Sequence, residues 1–412
     1  MATIKPFAAL RPAPEYADKI ISAPYDVINR EEAEKAAKDN PMSFLHICRS
    51  EIDLPYIDNP YDQAVYNKAK NNLTEFINRG FLIKDDKPMY YIYRLGMNGK
   101  TQTGVAACVS IEDYSGNIIK RHELTRADKE IDRIRHFDAC NANTEPVFIT
   151  YRNREDLQSL ANGWIMSHYP VYDITANDGI VHTVWAVDDD SVIKKITGIF
   201  SDISSLYIAD GHHRSASAVE TGMKRRKENP GYTGNEEFNY FLAVIFPDSE
   251  LTIYDYNRVV KDLNGHTASE FIEILSRSFI VEKAGKDRHR PEAIHVFSMY
   301  IDGEWYRLTA KDEIIPDDIV KRMDVSILQD IILGPVLGIS DPRTDKRIDF
   351  VGGIRGLGEL ENRVNNGMAA AFALYPVTIN DLMEVSDRNL MMPPKSTWFE
   401  PKLGSGLLIH QL

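Results

Sequence analysis

The feature that most constrains the fold is the stretch SSLYIADGHHRSASAVE, which runs from Ser204 to Glu220. An apolar run ends in Asp-Gly and passes directly into a helical pattern with Ala216, Val219 and Met223 on one face. A strand that turns straight into a helix leaves the first N–H groups of that helix without acceptors inside it. Those groups and the helix dipole together can bind an anion. The stretch therefore predicts an α/β element with an anion-binding helix start.

The residues of this junction suit an anion. Gly211 permits a positive φ or a close approach of the backbone to a ligand. Arg214 lies in the first helical turn, where a cation is unfavourable for the dipole, so we expect its guanidinium to bind an anion there. His212 and His213 add donors, and either could transfer a proton near neutral pH. Three roles remain open for Asp210: capping the helix, holding a histidine, or binding a Mg²⁺ that bridges phosphate oxygens. The alternative without a ligand is that Asp210 only caps the helix and the two histidines lie in solvent at the helix start.

Composition excludes several classes of function. Acidic residues outnumber basic ones by 61 to 48, and the net charge is −13. This balance argues against nucleic-acid binding, in which Lys and Arg neutralise phosphates. No apolar run approaches the roughly 18 residues of a membrane span, and the start of the chain lacks a signal-peptide core. The three cysteines show no metal or redox spacing, which indicates a reducing compartment, and we expect a cytoplasmic protein.

The length and the order of patterns predict a two-domain protein. A chain of 412 residues fits two or three domains. Strand-like runs alternate with helical patterns, which predicts an α/β or α+β fold with mixed sheets and flanking helices. Asn98-Gly99 and Asp302-Gly303 are predicted hairpin turns. The character of the sequence changes near residue 250. We therefore predict a phosphate-binding, catalytic domain over residues 1–250 and a C-terminal α+β domain over residues 251–412, whose last loop could return to the active site.

A second charged segment is RHELTRADKEIDR, from Arg121 to Arg133. It predicts a strand that passes into a helix, with Thr125 as the N-cap and Asp128 three residues on, a capping-box arrangement. The apolar face of the helix would carry Ala127, Ile131 and Ile134.

The residues that flank this helix start are candidates for the site. On a strand, His122 and Glu123 would point to opposite faces, so we do not expect both to bind one metal. Glu123 is our candidate base towards a hydroxyl or water beside the phosphate. His122, Lys129 and Arg133 are candidate substrate-binding residues, although a solvated helix face explains the last two equally simply.

Two further segments supply candidates. SAPYDVI contains Tyr25 and Asp26, which either line a substrate pocket or form a rigid turn in which Asp26 caps the next helix. PPKSTWFEPKLGSG contains Lys395, Ser396 and Thr397. A lysine followed by two hydroxyls suits a phosphate, but the glycine-rich lead of a P-loop is missing, and a structural turn explains the segment almost as well.

These motifs resemble a known family. ADGHHRSASA resembles the strand–Gly-x-His-Arg–helix element of the ParB/sulfiredoxin superfamily, and within it most closely the archaeal free-serine kinases, whose motif is also Asp-Gly-His-His-Arg. Over nearly its whole length the chain resembles the bacterial family labelled domain of unknown function 1015. The landmarks are KPFAALRP, SAPYDVI, RHELTRADKEIDR, DGHHR and MPPKSTWFEPKLGSGL.

The resemblance implies that the Asp-Gly-His-His-Arg element holds a phosphoryl group and that serine or O-phosphoserine is the substrate, in serine biosynthesis. Our leading hypothesis is thus a kinase-like or phosphatase-like phosphoryl-transfer enzyme. Asp210 would hold Mg²⁺, the nucleotide would be AMP, ADP or ATP, and Ser215 would join the phosphate-binding residues. The alternatives are a non-catalytic nucleotide- or phosphate-sensing module and a metal-dependent hydrolase that uses His122, His212 and Asp210.

Overall fold

The computed structural model describes all 412 residues and divides into two compact units. The first unit comprises Met1–Arg121, Thr125–Leu251 and Pro401–Leu412. The second comprises His122–Leu124 and Thr252–Glu400. These units differ from the predicted domains in two segments. His122–Leu124 belongs to the second unit, and Pro401–Leu412 belongs to the first.

The first unit is built around a nine-stranded mixed sheet. The strands of this unit are β1 (Ile4–Lys5), β2 (Leu10–Pro12), β3 (Leu82–Lys84), β4 (Tyr90–Met97), β5 (Lys100–Ser110), β6 (Ile119–Lys120), β7 (Ala142–Asn143), β8 (Val147–Tyr151), β9 (Tyr172–Thr175), β10 (Val181–Val187), β11 (Leu206–Asp210), β12 (Tyr240–Pro247) and β21 (His410–Gln411). Two pairs, β2 with β3 and β7 with β21, lie outside the nine-stranded sheet. The strand order is β6-β11-β8-β12-β5-β4-β10-β9, with β1 paired to β5. The pairs β6–β11 and β8–β12 are parallel, and the others are antiparallel.

The long central strands follow from the sequence. β4 and β5 pair up to the turn Asn98-Gly99, where both residues have positive φ, 52° and 75°. These are the angles of the two-residue hairpin turn that Asn-Gly favours, so the predicted turn is confirmed. β8 is buried along its whole length, as expected of a central strand covered on both faces.

This unit has nine α-helices. They are α1 (Ala17–Ile20), α2 (Arg30–Ala37), α3 (Leu45–Cys48), α4 (Gln63–Asn78), α5 (Ile111–Ser115), α6 (Ala127–Cys140), α7 (Glu155–Ser167), α8 (Asp190–Ser201) and α9 (His212–Glu228). α6 packs against both α4 and α9. One hydrophobic core lies at the sheet, and a second lies among α2, α3 and α4, where Ile409 of the C-terminal segment joins it.

Helix α6 corrects two predictions. Its N-cap is Arg126, without a side-chain cap, rather than Thr125 in a capping box with Asp128. Its expected apolar face is also wrong, since Ile131 is 51% exposed. The buried face instead carries Asp132, Arg133, His136, Phe137 and Cys140. The helix therefore directs a charged pair into the interior, which a hydrophobic-periodicity argument cannot predict.

The second unit is an α+β arrangement. Its strands are β13 (Thr252–Tyr254), β14 (Tyr256–Val260), β15 (Phe279–Gly285), β16 (Val296–Ile301), β17 (Glu304–Ala310), β18 (Ile348–Gly352), β19 (Ala370–Ala373) and β20 (Trp398–Glu400), and its helices are α10 (Ala268–Leu275), α11 (Asp324–Ile327), α12 (Leu357–Asn365) and α13 (Ile379–Asp387). An antiparallel sheet has the order β15-β17-β16-β19-β14-β18, and β13 pairs with β20. α12 covers the sheet over a core centred on Trp305.

The predicted fold class, mixed α/β with flanking helices, is confirmed. The Asp302-Gly303 turn is also confirmed, since it joins β16 to β17 with positive φ at both residues. None of the thirteen helices combines the length and the apolar character that crossing a membrane requires.

Two helical glycines give a matched stability prediction. A Cβ on Gly222 of α9 would overlap the carbonyl of Phe238 and lie 2.8 Å from Ile111 Cδ1. Because backbone cannot yield as a flexible side chain does, Gly222→Ala should lower the free energy of unfolding by about 1–3 kcal/mol. Gly198 of α8 has open space around it, so Gly198→Ala should raise that free energy by about 1 kcal/mol. Urea unfolding measures both, and a stabilised Gly222→Ala variant would contradict this packing of α9.

Candidate functional site

The predicted strand-to-helix junction is present in the first unit. β11 ends at Asp210 and α9 begins at His212. Gly211 between them has φ 92° and forms the N-cap without a side-chain cap. A side chain at this φ would be strained, which accounts for glycine here. The pairing of β11 with β8 is irregular between Ile208 and Asp210, so the regular ladder ends as the chain enters the junction.

The guanidinium of Arg214 folds back over this junction. A Cβ added to Gly211 would lie 3.2 Å from both Cζ and Nε of Arg214. The side chain is buried, with 3% of the residue exposed. Nη1 donates to the carbonyl of Pro146, and Nη2 lies 3.5 Å from Asp26 Oδ2. Nε is buried and has no hydrogen-bond acceptor. One charged N–H is therefore enclosed and unsatisfied.

Asp210 is paired with a lysine that sequence analysis did not select. Its Oδ2 accepts a hydrogen bond of 2.8 Å from Lys402 Nζ, and its Oδ1 accepts from the Gly211 amide at 2.9 Å. Burial alone would raise the pKa of Asp210, but Lys402 and then Arg214 lower it far below its usual range. The carboxylate is thus ionised at neutral pH and is a weak base.

These partners also test the predicted metal. Mg²⁺ prefers oxygen ligands in a near-ideal octahedron and would need the carboxylate oxygen of Asp210 that the Lys402 ammonium now contacts. A resident Mg²⁺ on Asp210 therefore does not fit the side chains as they lie. The cation beside this carboxylate belongs to the protein itself.

A buried carboxylate, Glu145, was also missed by the sequence analysis. It lies two residues before β8 and is 2% exposed. Its Oε1 accepts from the Tyr25 amide at 3.0 Å and from the Ser405 hydroxyl at 2.6 Å. Burial raises the pKa of Glu145, although Arg214 and then Arg133 oppose the rise. The sequence held no signal for it, because a single glutamate in NTEPVF matches no motif.

Arg133 is a second buried cation near Glu145. It is 5% exposed, and its Cζ lies 4.0 Å from the centre of the Tyr25 ring. Nη2 pairs with Asp132 Oδ2 at 2.8 Å. Nη1 lies 3.9 Å from Glu145 Oε2, too far for a hydrogen bond, and has no other acceptor. The structure thus brings Tyr25, Arg133 and Arg214 of the predicted site together around Glu145.

The turn SAPYDVI contributes residues to the group around Glu145 and does not cap the next helix. Asp26 is exposed and reaches Arg214, whereas α2 is capped by Asn29 in a capping box with Glu32. The alternative that Asp26 caps α2 is therefore wrong. Burial, and secondarily Asp26, raise the pKa of the Tyr25 hydroxyl, so this group stays protonated.

The remaining predicted residues of the first unit have defined partners. His213 Nε2 accepts a 3.0 Å hydrogen bond from the Arg126 amide, so Nδ1 carries the proton of the neutral ring. His212 is buried at the first position of α9. The Ser215 hydroxyl donates to the Gly211 carbonyl at 3.1 Å and stabilises the first helical turn. Lys129 Nζ donates to the Tyr61 hydroxyl at 2.9 Å.

Five predicted residues belong to the second unit: His122, Glu123, Lys395, Ser396 and Thr397. His122 and Glu123 are not on a strand, since β6 ends at Lys120, so the argument from opposite strand faces is wrong. His122 is buried, its carbonyl accepts from the Met392 amide, and its Nε2 lies 3.4 Å from Thr397 Oγ1.

The loop around Lys395 is ordered by its own contacts. Lys395 is exposed and has a φ of 59°. The Ser396 hydroxyl donates to the Pro393 carbonyl at 2.6 Å, and Arg258 donates to the Lys395 carbonyl at 3.0 Å. The Ser396 hydroxyl thus stabilises a turn, as the structural alternative for this segment expected.

Comparison with known proteins gives one family. A family model described as "Protein of unknown function (DUF1015)" matches residues 4–326. No curated protein matches the chain.

Among solved structures, a free serine kinase in complex with AMP is 12% identical, with a TM-score of 0.38 over 71% of this chain and 86% of that one. A conserved hypothetical protein from Pyrococcus furiosus is 14% identical, with a TM-score of 0.36 over 73% and 95%. SbnI with a C-terminal truncation, from Staphylococcus aureus, is 9% identical, with a TM-score of 0.38 over 72% and 82%. Similarities this low carry no argument about function.

Proposed function

The chain belongs to the family of proteins of unknown function DUF1015, and from that premise we propose that it is a phosphoryl-transfer enzyme that acts on free serine or O-phosphoserine. The observation that carries the proposal is the buried guanidinium of Arg214, which lies over Gly211 at the start of α9 and keeps its Nε–H without an acceptor.

An anion would remove this deficit. A buried donor without an acceptor costs about 1–3 kcal/mol, and more when it is charged. A phosphoryl oxygen on Arg214 Nε would accept that hydrogen bond and also lie near the amides that open α9. The guanidinium keeps its position meanwhile, because Pro146 and Asp26 hold the other end of its fork.

Arg133 supports a small amino acid as the substrate. Its Nη1 is a second enclosed N–H without an acceptor, and both Arg133 and Arg214 act on Glu145. O-phosphoserine carries two anionic groups, a phosphate and an α-carboxylate. Two guanidiniums with one open donor each suit such a molecule better than they suit a simple phosphate ester. Serine itself is proposed because the Asp-Gly-His-His-Arg motif resembles that of the free-serine kinases.

Phosphoryl transfer needs little covalent work from a protein, so positioning and neutralisation of charge supply most of the catalysis. Arg214 and the start of α9 would hold the phosphoryl group. Lys402, fixed by Asp210, would add a positive charge nearby. Because the pKa of Asp210 is strongly lowered, we assign proton transfer to His213 rather than to Asp210. Glu123 stays a candidate base on the strength of its sequence segment.

The cofactor proposal follows the same residues. AMP, ADP or ATP is proposed as the phosphate partner on the basis of the motif resemblance. Mg²⁺ would neutralise the phosphates of such a nucleotide when bound to it, while Asp210 stays with Lys402. Lys129 remains a proposed contact for the substrate, and Lys395 and Thr397 stay candidates for phosphate binding on the strength of their sequence segment.

Turnover of O-phosphoserine tests the proposal. Purified protein is incubated with O-phosphoserine, with and without AMP or ADP, and both free serine and inorganic phosphate are measured. Inorganic phosphate without nucleotide would identify a phosphatase, and serine formed only with a nucleotide would identify a kinase that runs in reverse. O-phosphoethanolamine, which lacks the α-carboxylate, is the matched control and should react at least about 100-fold more slowly. Nucleotide binding without any turnover would instead identify a sensing module and overturn the proposal.

A further inference from the structure

Glu145 occupies an unusual electrostatic position. The charged and titratable groups that face it come from several elements: Arg133 on α6, Arg214 on α9, Tyr25 and Asp26 in the turn after α1, and Cys48 on α3. Its hydrogen bonds are confined to Oε1, which accepts from the Tyr25 amide and the Ser405 hydroxyl. Oε2 takes part in neither of these bonds, and its nearest cation is Arg133 Nη1, at 3.9 Å.

The net charge of the residues around Glu145 does not favour the binding of a further anion. The cations among them are Arg49, Arg133, Arg214 and Lys402, and the carboxylates are Asp26, Glu51, Asp132, Asp210 and Glu145. With every group ionised, the carboxylates exceed the cations by one. A dianionic ligand would therefore enter a region that is already negative, with part of it buried at low dielectric. Binding becomes favourable if one carboxylate gives up its charge.

Glu145 is the carboxylate best placed to do so. Asp210 is held ionised by Lys402, Asp132 pairs with Arg133 at 2.8 Å, and Asp26 is exposed to solvent. Glu145 is 2% exposed, its shortest ion pair is 3.9 Å long, and both of its hydrogen bonds are made by Oε1. Once a bound dianion offsets the charge of the two guanidiniums, burial is the cause that remains, and burial favours the neutral acid.

We propose that Glu145 is the resident counter-anion of Arg133 and Arg214, and that it takes up one proton at Oε2 when a dianion binds to these two guanidiniums. This inference rests on the anion site of the proposed function and adds its regulation by pH. Oε1 keeps its two hydrogen bonds, so the new proton bonds to the open oxygen without rearrangement of Tyr25 or Ser405. The ligand replaces the charge that Glu145 gives up.

The proposal fixes the sign of the pH dependence. The bound state holds a proton that the free state has lost, so affinity falls as the pH rises through the range between the two pKa values of Glu145. Below the pKa of free Glu145 the acid is already neutral, and affinity no longer changes. Within that range the fall can reach about tenfold per pH unit for one proton.

Sulfate is the suitable probe, because a phosphate group titrates near pH 6 and would obscure the effect. Sulfate binding to the full chain is measured by calorimetry between pH 6 and 8, in two buffers with different ionisation enthalpies. We expect an uptake approaching one proton per sulfate and an affinity that falls with pH. Sulfate binding without proton uptake, or no sulfate binding at all, would overturn the inference.

Two variants assign the proton to Glu145 rather than to His212 or His213. Glu145→Gln keeps an acceptor for Tyr25 and Ser405 but cannot titrate, so the uptake should disappear and affinity should become independent of pH. An uptake that persists in this variant would contradict the proposal. Ser405→Ala, a milder change, removes a hydrogen bond that lowers the pKa of Glu145, so its pH profile should shift to higher pH. A profile that does not shift in a folded Ser405→Ala protein would also count against it.

The outcome is separable from that of the proposed function. Proton-linked sulfate binding without turnover of O-phosphoserine would retain this inference and reject the enzyme. Turnover together with sulfate binding that takes up no proton would do the reverse.

Discussion

Arg214→Lys is expected to lower kcat/KM for O-phosphoserine by about a thousandfold. The guanidinium acts as a fork, with Pro146 and Asp26 on one side and an unsatisfied Nε–H on the other. A lysine keeps the charge but has a single ammonium, which cannot hold both partners and also bind a phosphoryl oxygen in a fixed direction. Losses of about 10²–10³ are typical when one directed donor to a developing charge is removed.

A matched control isolates this effect from a general change of charge. Lys227 is exposed at the far end of the same helix, so Lys227→Ala removes a positive charge from α9 away from its start. It should leave kcat/KM within about twofold. Circular dichroism and thermal unfolding establish whether both variants fold. A folded Arg214→Lys protein with nearly unchanged activity would show that the phosphoryl group binds elsewhere.

Arg133→Met should affect both stability and substrate binding. Methionine can fill the space over the Tyr25 ring, but Asp132 and Glu145 would lose their cation in a buried region. Removing one member of a buried ion pair typically costs about 3–5 kcal/mol. Because Arg133 is proposed to bind the α-carboxylate, which does not react, KM for O-phosphoserine should rise more than kcat falls.

Urea unfolding and steady-state kinetics measure the two effects. Arg135→Met is the control, since Arg135 is exposed on the same helix and should change the free energy of unfolding by less than about 0.5 kcal/mol. Equal stabilities of the two variants would contradict the role of Arg133 as an interior counter-charge. A loss confined to kcat would contradict its proposed contact with the carboxylate.

Local signals in the sequence sufficed for the junction and the turns. An apolar run that ends in Asp-Gly predicted β11 and the start of α9, and a positive φ was one of two roles expected of Gly211, because each depends on neighbouring residues. The Asn98-Gly99 and Asp302-Gly303 turns were predictable for the same reason.

Interactions between distant residues were not predictable. Lys402 reaches Asp210 across 192 positions, and Ser405 reaches Glu145 across 260. No spacing rule connects such pairs. The burial of Arg133 also differs from what the hydrophobic periodicity of α6 predicted. This helix buries charged residues because neighbouring charges of opposite sign compensate them. The predicted metal at Asp210 fails for the same reason, since its counter-charge lies near the C-terminus.

The central claim is that an oxyanion binds at the start of α9 through Arg214. The most direct test is the anomalous difference map of crystals grown with selenate, a heavy analogue of sulfate. We predict an anomalous selenium peak at the start of α9, from a selenate with an oxygen about 2.7–3.1 Å from Arg214 Nε. A map in which selenate binds only elsewhere, while the Arg214 guanidinium still lies closed over Gly211, would contradict it.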